Sequence, residues 1–266
     1  MQGITEYDRN GVHVLRIHYT ADPDKRDLRW VAENRKGMSQ AMWDKEYEIN
    51  FNVITGKAWF PEFRPEFHVA GEPLRPIEGR PVLRGWDYGL TPATVFAQTT
   101  AKGQLLVLHP ELQSWDTGIT AHGAVVQSES ATYYPGYTFH DYGDPAGNTR
   151  SANDEKTAND ILREQYGINV LPGPVAEMAR WEPTRKLLTT LTPDGAPMLL
   201  LDPRCSWLKR AFEGGYQHRQ VAGRYLDVVA DNEYTHIMDA FMYLAAMVQA
   251  KPKRWDDVNI PRAGRM

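Results

Sequence analysis

Three short segments of this 266-residue chain each carry an aspartate where a folded protein ordinarily avoids one. They are Arg84-Gly85-Trp86-Asp87-Tyr88-Gly89, Asp141-Tyr142-Gly143-Asp144-Pro145-Ala146-Gly147 and Thr235-His236-Ile237-Met238-Asp239-Ala240. The first two read as strand ends and the third as the interior of an apolar helix. Carboxylates gathered from distant segments repel one another and lose solvation, and a divalent cation is the usual compensation. Three oxygen donors suit Mg²⁺ or Mn²⁺ better than zinc, and the chain has no Cys-x-x-Cys or His-Glu-x-x-His zinc motif. Two such ions, roughly 3.5–4 Å apart, can clamp an in-line displacement at phosphorus. In that scheme Asp87 bridges both ions, Asp144 and Asp239 each complete one, and His236 orients a ligand or a water. The chemistry is phosphodiester hydrolysis.

Each segment also has a plainer reading. Asp87, followed by Tyr88-Gly89, fits an ordinary Asp-Gly type turn. Asp144 is pushed toward an extended backbone by Pro145, and Gly143 and Gly147 would let the main chain approach a ligand. Asp141 is its rival. Strand alternation sends Asp141 and Asp144 to opposite faces unless Gly143 breaks the pleat, so one is a ligand and the other stands behind it. A surface turn with two solvated acids is the alternative. Asp239 lies between Ile237, Ala240 and Phe241, away from the first turn, where an acid would complement the helix dipole. His236 sits on nearly the same face. A lone histidine there is more often packed or capping than liganding, and an acid and a histidine together make a site and a packed pair equally good accounts.

The elements that must position these residues follow from pattern. Val12–Tyr19 reads as a strand, and Ala21-Asp22-Pro23-Asp24-Lys25 as a turn. Asp27 caps a short helix through Trp30 and Val31, ending near Gly37, and Ser39 caps a second with Met42, Trp43, Glu46 and Tyr47. The proline- and glycine-rich run from Phe60 to Gly79 reads as a linker, with a boundary near residue 78. Beyond it, strands are expected at Val82–Trp86, Thr94–Gln98 and Gln104–His109, with a hairpin at Gly103. Helix is expected over Ile119–Ser128, strand over Tyr137–Tyr142, and helix over Asp154–Tyr166 with Gly167 as its stop. Ile168–Leu171 and Met198–Leu201 are short strands. Pro183 suits the first turn of a helix holding Leu187, Leu188 and Leu191. Ser206 caps a helix through Phe212, and Glu233–Gln249 is the longest helix. The tail after Lys251 is polar and loose. An antiparallel meander followed by strand-helix units gives a mixed α/β sheet with helices on its faces, whose ligands gather at strand ends.

Composition is that of a globular protein, 42% hydrophobic and 24% charged. No run approaches eighteen apolar residues, so no membrane span is expected. The first residues lack the pattern of a signal peptide. The single cysteine, Cys205, forbids an internal disulfide and reads as a packing residue in a cytosolic protein. Net charge is −4, yet Arg180 to Arg224 holds eight Lys and Arg against four acids. Such a local basic surface attracts a phosphate backbone, although solvated helix faces are an equally good account. Arg204, Lys209, Arg210 and Arg219 are the candidate DNA contacts, salt-sensitive and mostly blind to base sequence. Trp181, Trp207 and Tyr216 could stack on bases, with core packing the better account of Trp207.

Taken in order, the three motifs resemble the nuclease domain of the large terminase subunit of tailed bacteriophages. Gly85-Trp86-Asp87-Tyr88-Gly89-Leu90-Thr91-Pro92-Ala93 is similar to that family's first acidic strand, Gly143-Asp144-Pro145-Ala146-Gly147 to its second, and Thr235 through Leu244 to its closing helix. The resemblance covers roughly residues 80–250. The segments around His18–Pro23, Lys45–Glu48 and Gly56–Phe60 are similar to the link between that family's ATPase and nuclease. The resemblance implies an RNase H-like domain over 79–250, preceded by a small linker subdomain over 1–78 and followed by a tail over 251–266. It implies two-metal cutting of concatemeric viral DNA during packaging, with Mg²⁺ or Mn²⁺ as cofactor and double-stranded DNA, portal protein and the small terminase subunit as partners. The expected location is the cytoplasm of the bacterial host and not the mature virion. The chain has no Gly-x-x-x-x-Gly-Lys-Ser/Thr loop, so ATP hydrolysis and autonomous translocation are not expected of it. Two rivals stand beside this reading. One is a resolvase- or transposase-like nuclease on the same fold, and the other a non-catalytic DNA- or portal-binding module.

Overall fold

The computed structural model describes residues 2–9, 11–36, 43–44, 46–49, 56–150 and 156–250. They form two compact units, Met1–Lys57 and Ala58–Met266. In the first, strands β1 (Ile4–Arg9) and β2 (Val12–Ile17) pair as an antiparallel hairpin. Two 3-10 turns, Tyr19–Ala21 and Pro23–Lys25, lead to helix α1 (Leu28–Asn34). The Asp27 carboxylate accepts from Arg29 N at 2.9 Å, which is the expected cap. Tyr19, Trp30, Trp43 and Tyr47 make an aromatic cluster, with Trp43 and Tyr47 stacked at 4.3 Å. The expected end of α1 at Gly37, the Ser39 cap with Met42, and the tail 251–266 lie outside the described residues.

The second unit is built on a six-stranded sheet. Its strands are β3 (Val82–Asp87), β4 (Ala93–Thr99), β5 (Leu105–Gln113), β6 (Phe139–Gly143), β7 (Val170–Pro172) and β8 (Leu199–Leu201), in the order β7-β6-β3-β4-β5-β8. Only β4 runs against the others. A three-strand meander with two parallel strands added beside its first member is the RNase H-like arrangement; here β8 adds a further strand beside β5. Strand β3 is buried along its whole length, as expected of a central strand covered on both faces. Helices α3 (Ile119–Tyr133) and α4 (Ala158–Tyr166) cover one face, packing Val126 and Leu162 on Val82, Trp86, Phe96 and Leu108. Helices α5 (Met178–Thr189) and α7 (Thr235–Gln249) cover the other, packing Leu187, Ile237, Phe241 and Leu244 on Leu83, Val95 and Val107. No described helix is long and apolar enough to cross a membrane.

Several expectations change. The unit boundary falls at Lys57/Ala58 and not near residue 78, because the supposed linker packs into the core. Trp59, Phe60 and Phe63 are buried there, helix α2 (Pro65–His68) follows, and Ala70 N donates to Leu201 O. Helix α5 begins at Met178, which puts Pro183 inside it and not in its first turn. Helix α6 (Ser206–Arg210) is capped from a distance: Glu111 on β5 accepts from Trp207 N and from Leu208 N at 2.8 Å, displacing Ser206 from that role. A short π-turn, Ala211–Gly215, continues it. The hairpin β9 (His218–Val221) and β10 (Arg224–Val229) was not foreseen, since its apolar residues Val221, Leu226 and Val228 are exposed and show no buried face to read.

Candidate active site

Asp87 is the last residue of β3. Its backbone partner on β4 is Ala93, and Gly89 turns the chain between them with φ 125°. One residue pair back, Gly85 lets α7 lie flush on the strand: a β-carbon there would collide with the Ala240 carbonyl and Leu244. That close approach brings the first turn of α7 over the end of β3. His236 Nδ1 lies 2.9 Å from Asp87 Oδ2. One turn further, Asp239 faces Arg180 of α5, whose Nη1 donates to Asp239 Oδ1 at 3.2 Å.

Asp144 follows β6 immediately. The loop that holds it is clamped from β3, because Asp144 N donates to Trp86 O, and Tyr88 donates to Asn159, which in turn donates to Asn148. The Asp144 carboxylate accepts from Ala146 N at 2.8 Å and faces the Tyr243 hydroxyl on α7. The two glycines of this motif have other reasons than a ligand. Gly143 sits against Trp86, and Gly147 under the Tyr88 ring.

Asp141 goes elsewhere. It is paired in register with Arg84, and its side chain lies with that of Arg84 on the α3 face. Both are about 5% exposed. Arg84 grips it through Nε and Nη2 at 2.6 and 2.9 Å, and the Trp86 indole N–H donates to it at 2.7 Å. Alternation is kept through Gly143, so Asp141 neither joins the acids on the α7 face nor supports them from behind. It is the buried counter-ion of an enclosed arginine.

Asp87, Asp144, Asp239 and His236 do stand together. Burial, and then the neighbouring Asp87 charge, push the Asp239 carboxyl up to about 7, with Arg180 opposing. Burial raises Asp87 as well, partly offset by the His236 hydrogen bond, and Asp144 adds to the rise. The hydrogen bond to Asp87 raises His236 against its own burial. Hard oxygen donors crowded until one resists ionisation are the donor chemistry that suits a small divalent cation. Among the described residues, however, no three His, Cys, Asp or Glu side chains are already arranged around a metal position. Asp87 is turned to His236 and Asp239 to Arg180.

Arg180 is the site member that sequence reading missed. It was visible only as one cation of a basic stretch, and nothing local ties it to an acid 59 positions away. Its guanidinium also lies over the Tyr243 ring at 4.6 Å. The four candidate DNA contacts do not share one environment. Arg204 is closed bidentately on buried Asp202, and lines a cavity with Glu72, Arg75, His109 and Tyr133 on the α3 side, which removes it from the acid-bearing face. Lys209 reaches toward Glu213 at 3.8 Å, Arg210 neighbours the Tyr234 hydroxyl, and Arg219 is exposed on β9. Trp181 and Tyr216 are core residues, as is Cys205. Trp207 is partly buried between Trp115 and Tyr234.

No protein-family model matches the sequence, and no curated protein matches it. Solved structures do. The large terminase from the thermophilic bacteriophage D6E aligns with TM-score 0.55 at 15% identity, over 82% of this chain and 52% of that one. Its ADP complex aligns with TM-score 0.56 at 12% identity, over 88% and 55%. The nuclease domain of the bacteriophage SPP1 large terminase with bound Mn aligns over 70% of this chain and 97% of its own, with TM-score 0.48 at 16% identity. This chain thus spans about half the length of the D6E terminase and shares its fold.

Proposed function

We propose that this chain is the nuclease of a tailed-phage large terminase, a metal-dependent DNA endonuclease that cuts concatemeric viral DNA during packaging in the bacterial host. The observation that carries the reading is the convergence of Asp87, Asp144 and Asp239, from two strand ends and one helix, on a single face of an RNase H-like sheet. Asp87, Asp144 and Asp239 would hold Mg²⁺ or Mn²⁺. When bound, such ions acidify an attacking water and stabilise the leaving oxygen. The chain's own residues do the rest. Asp87 and His236 fix one another by hydrogen bond, and Tyr243 orients Asp144 from the helix. Lys209, Arg210 and Arg219 would hold the duplex through its phosphates. Portal protein and the small terminase subunit are the further partners this reading implies.

The test is relaxation and linearisation of supercoiled plasmid with Mg²⁺ or Mn²⁺. Asp87→Asn and Asp239→Asn should each lower the rate by at least about 10²-fold while leaving the fold intact. Undiminished cutting by either protein would remove that residue from the site. A second reading, a packaging module that binds DNA or portal without cutting, draws on the turned-away carboxylates. Calorimetry showing no divalent binding alongside intact DNA binding would select it.

A further inference from the structure

The site carries its own cation. Arg180 is only 11% exposed, yet it uses its five donors sparingly: Nη1 makes one bond to Asp239, at 3.2 Å, and Nε is buried with no partner at all. A charge-assisted pair at full strength is shorter, about 2.7–2.9 Å, and is often bidentate. The guanidinium is held in place from below by the Tyr243 ring at 4.6 Å, independently of the carboxylate. It is therefore a poorly satisfied buried cation, fixed by an aromatic platform, beside an acid that would complete one of the proposed ions.

We propose that Arg180 is a positioning residue with two successive partners, an inference that rests on the nuclease reading above. In the free protein it neutralises Asp239 and keeps the acid cluster from flying apart. When a divalent cation takes Asp239, the guanidinium stays on Tyr243 and offers its freed Nη1 to a phosphate oxygen of the DNA. The exchange gives up a single long hydrogen bond. Cation and DNA binding are thereby coupled: with Arg180 present, the ions bind weakly until a phosphate arrives to receive the guanidinium.

Manganese titration without DNA, followed by electron paramagnetic resonance, reads this directly. Arg180→Gln removes a positive charge beside the ion and should bind Mn²⁺ at least about tenfold more tightly than the parent protein. Arg180→Lys keeps the charge and should stay within about twofold of the parent. On adding a non-cleavable duplex, the parent should gain Mn²⁺ affinity and Arg180→Gln should gain little. Equal or weaker Mn²⁺ binding by Arg180→Gln, with the parent binding measurably, overturns the proposal and leaves the nuclease reading standing. No Mn²⁺ binding by either protein overturns both. Should Arg180→Gln not fold, the ¹⁵N resonance of Arg180 Nε in the parent protein gives the answer. It should shift when Mg²⁺ is added and again when duplex follows, and a resonance unmoved by both sinks the idea.

Discussion

Two aspartates three positions apart, one inside β6 and one just beyond its end, have opposite fates. Asp141 is sealed against Arg84 and the Trp86 indole, whereas Asp144 stands in the loop beyond the strand. Asp141→Ala should cost about 3–5 kcal/mol in urea unfolding, because it strands a buried guanidinium. Asp144→Ala removes a local cap and the Tyr243 contact and should cost about 1 kcal/mol, while abolishing plasmid cleavage. Reversal of that stability ranking would mean the two residues have been exchanged. The sequence marked both as candidates and could not choose, since the choice depends on whether Gly143 breaks the pleat. Register with Arg84 decides it. Arg180 lay beyond sequence reading for a different reason. A contact between two helices far apart in the chain leaves no local signature, whereas Asp239 could be noticed because an acid in an apolar helix is anomalous where it stands.

At the scale of elements, the most legible parts were those with a local cause. The Asp27 cap, the Gly103 hairpin and the Gly167 stop all appear where residue type demands them. The cap of α6 was misread, because its carboxylate comes from β5 and no sequence rule connects Glu111 to Ser206. That contact has a measurable signature. Burial pushes the Glu111 carboxyl up to about 7 from an ordinary 4.5. The folded state then holds its proton more tightly than the unfolded one, so the contribution is full below pH 4.5 and is lost as pH rises through about 7. Glu111→Gln should accordingly flatten the fall in unfolding free energy across that window, as read by chemical denaturation at successive pH values. The seat of α7 on β3 makes a second demand. Gly85→Ala should destabilise by about 1–3 kcal/mol, because the obstructing atom is backbone and cannot swing aside. It should also slow cleavage, since His236 and Asp239 ride on the displaced helix.

For the whole molecule, the −4 net charge is unevenly spread, and the proposed duplex contacts are cations on α6 (Lys209, Arg210) and on the β9–β10 hairpin (Arg219). Duplex binding should therefore weaken steeply with salt, and Lys209→Ala or Arg219→Ala should each reduce the log–log salt slope by about 0.9. A slope unaltered by either change would move the duplex to another surface. The fold class was readable because alternation and turn residues specify a sheet with covered faces. The boundary was not, because the proline-rich run that looks like a tether buries Trp59, Phe60 and Phe63. The Arg84–Asp141 pair, finally, governs which changes in length β6 can survive. One residue inserted ahead of Asp141 would flip its carboxylate through the sheet and leave Arg84 facing none. Two would restore the facing but carry the carboxylate about 6.6 Å along the strand, beyond the fork's reach. The enclosed pair is thus a ruler fixed inside the protein, and relatives of this chain should vary in length before Phe139 or after Asp144, never between them.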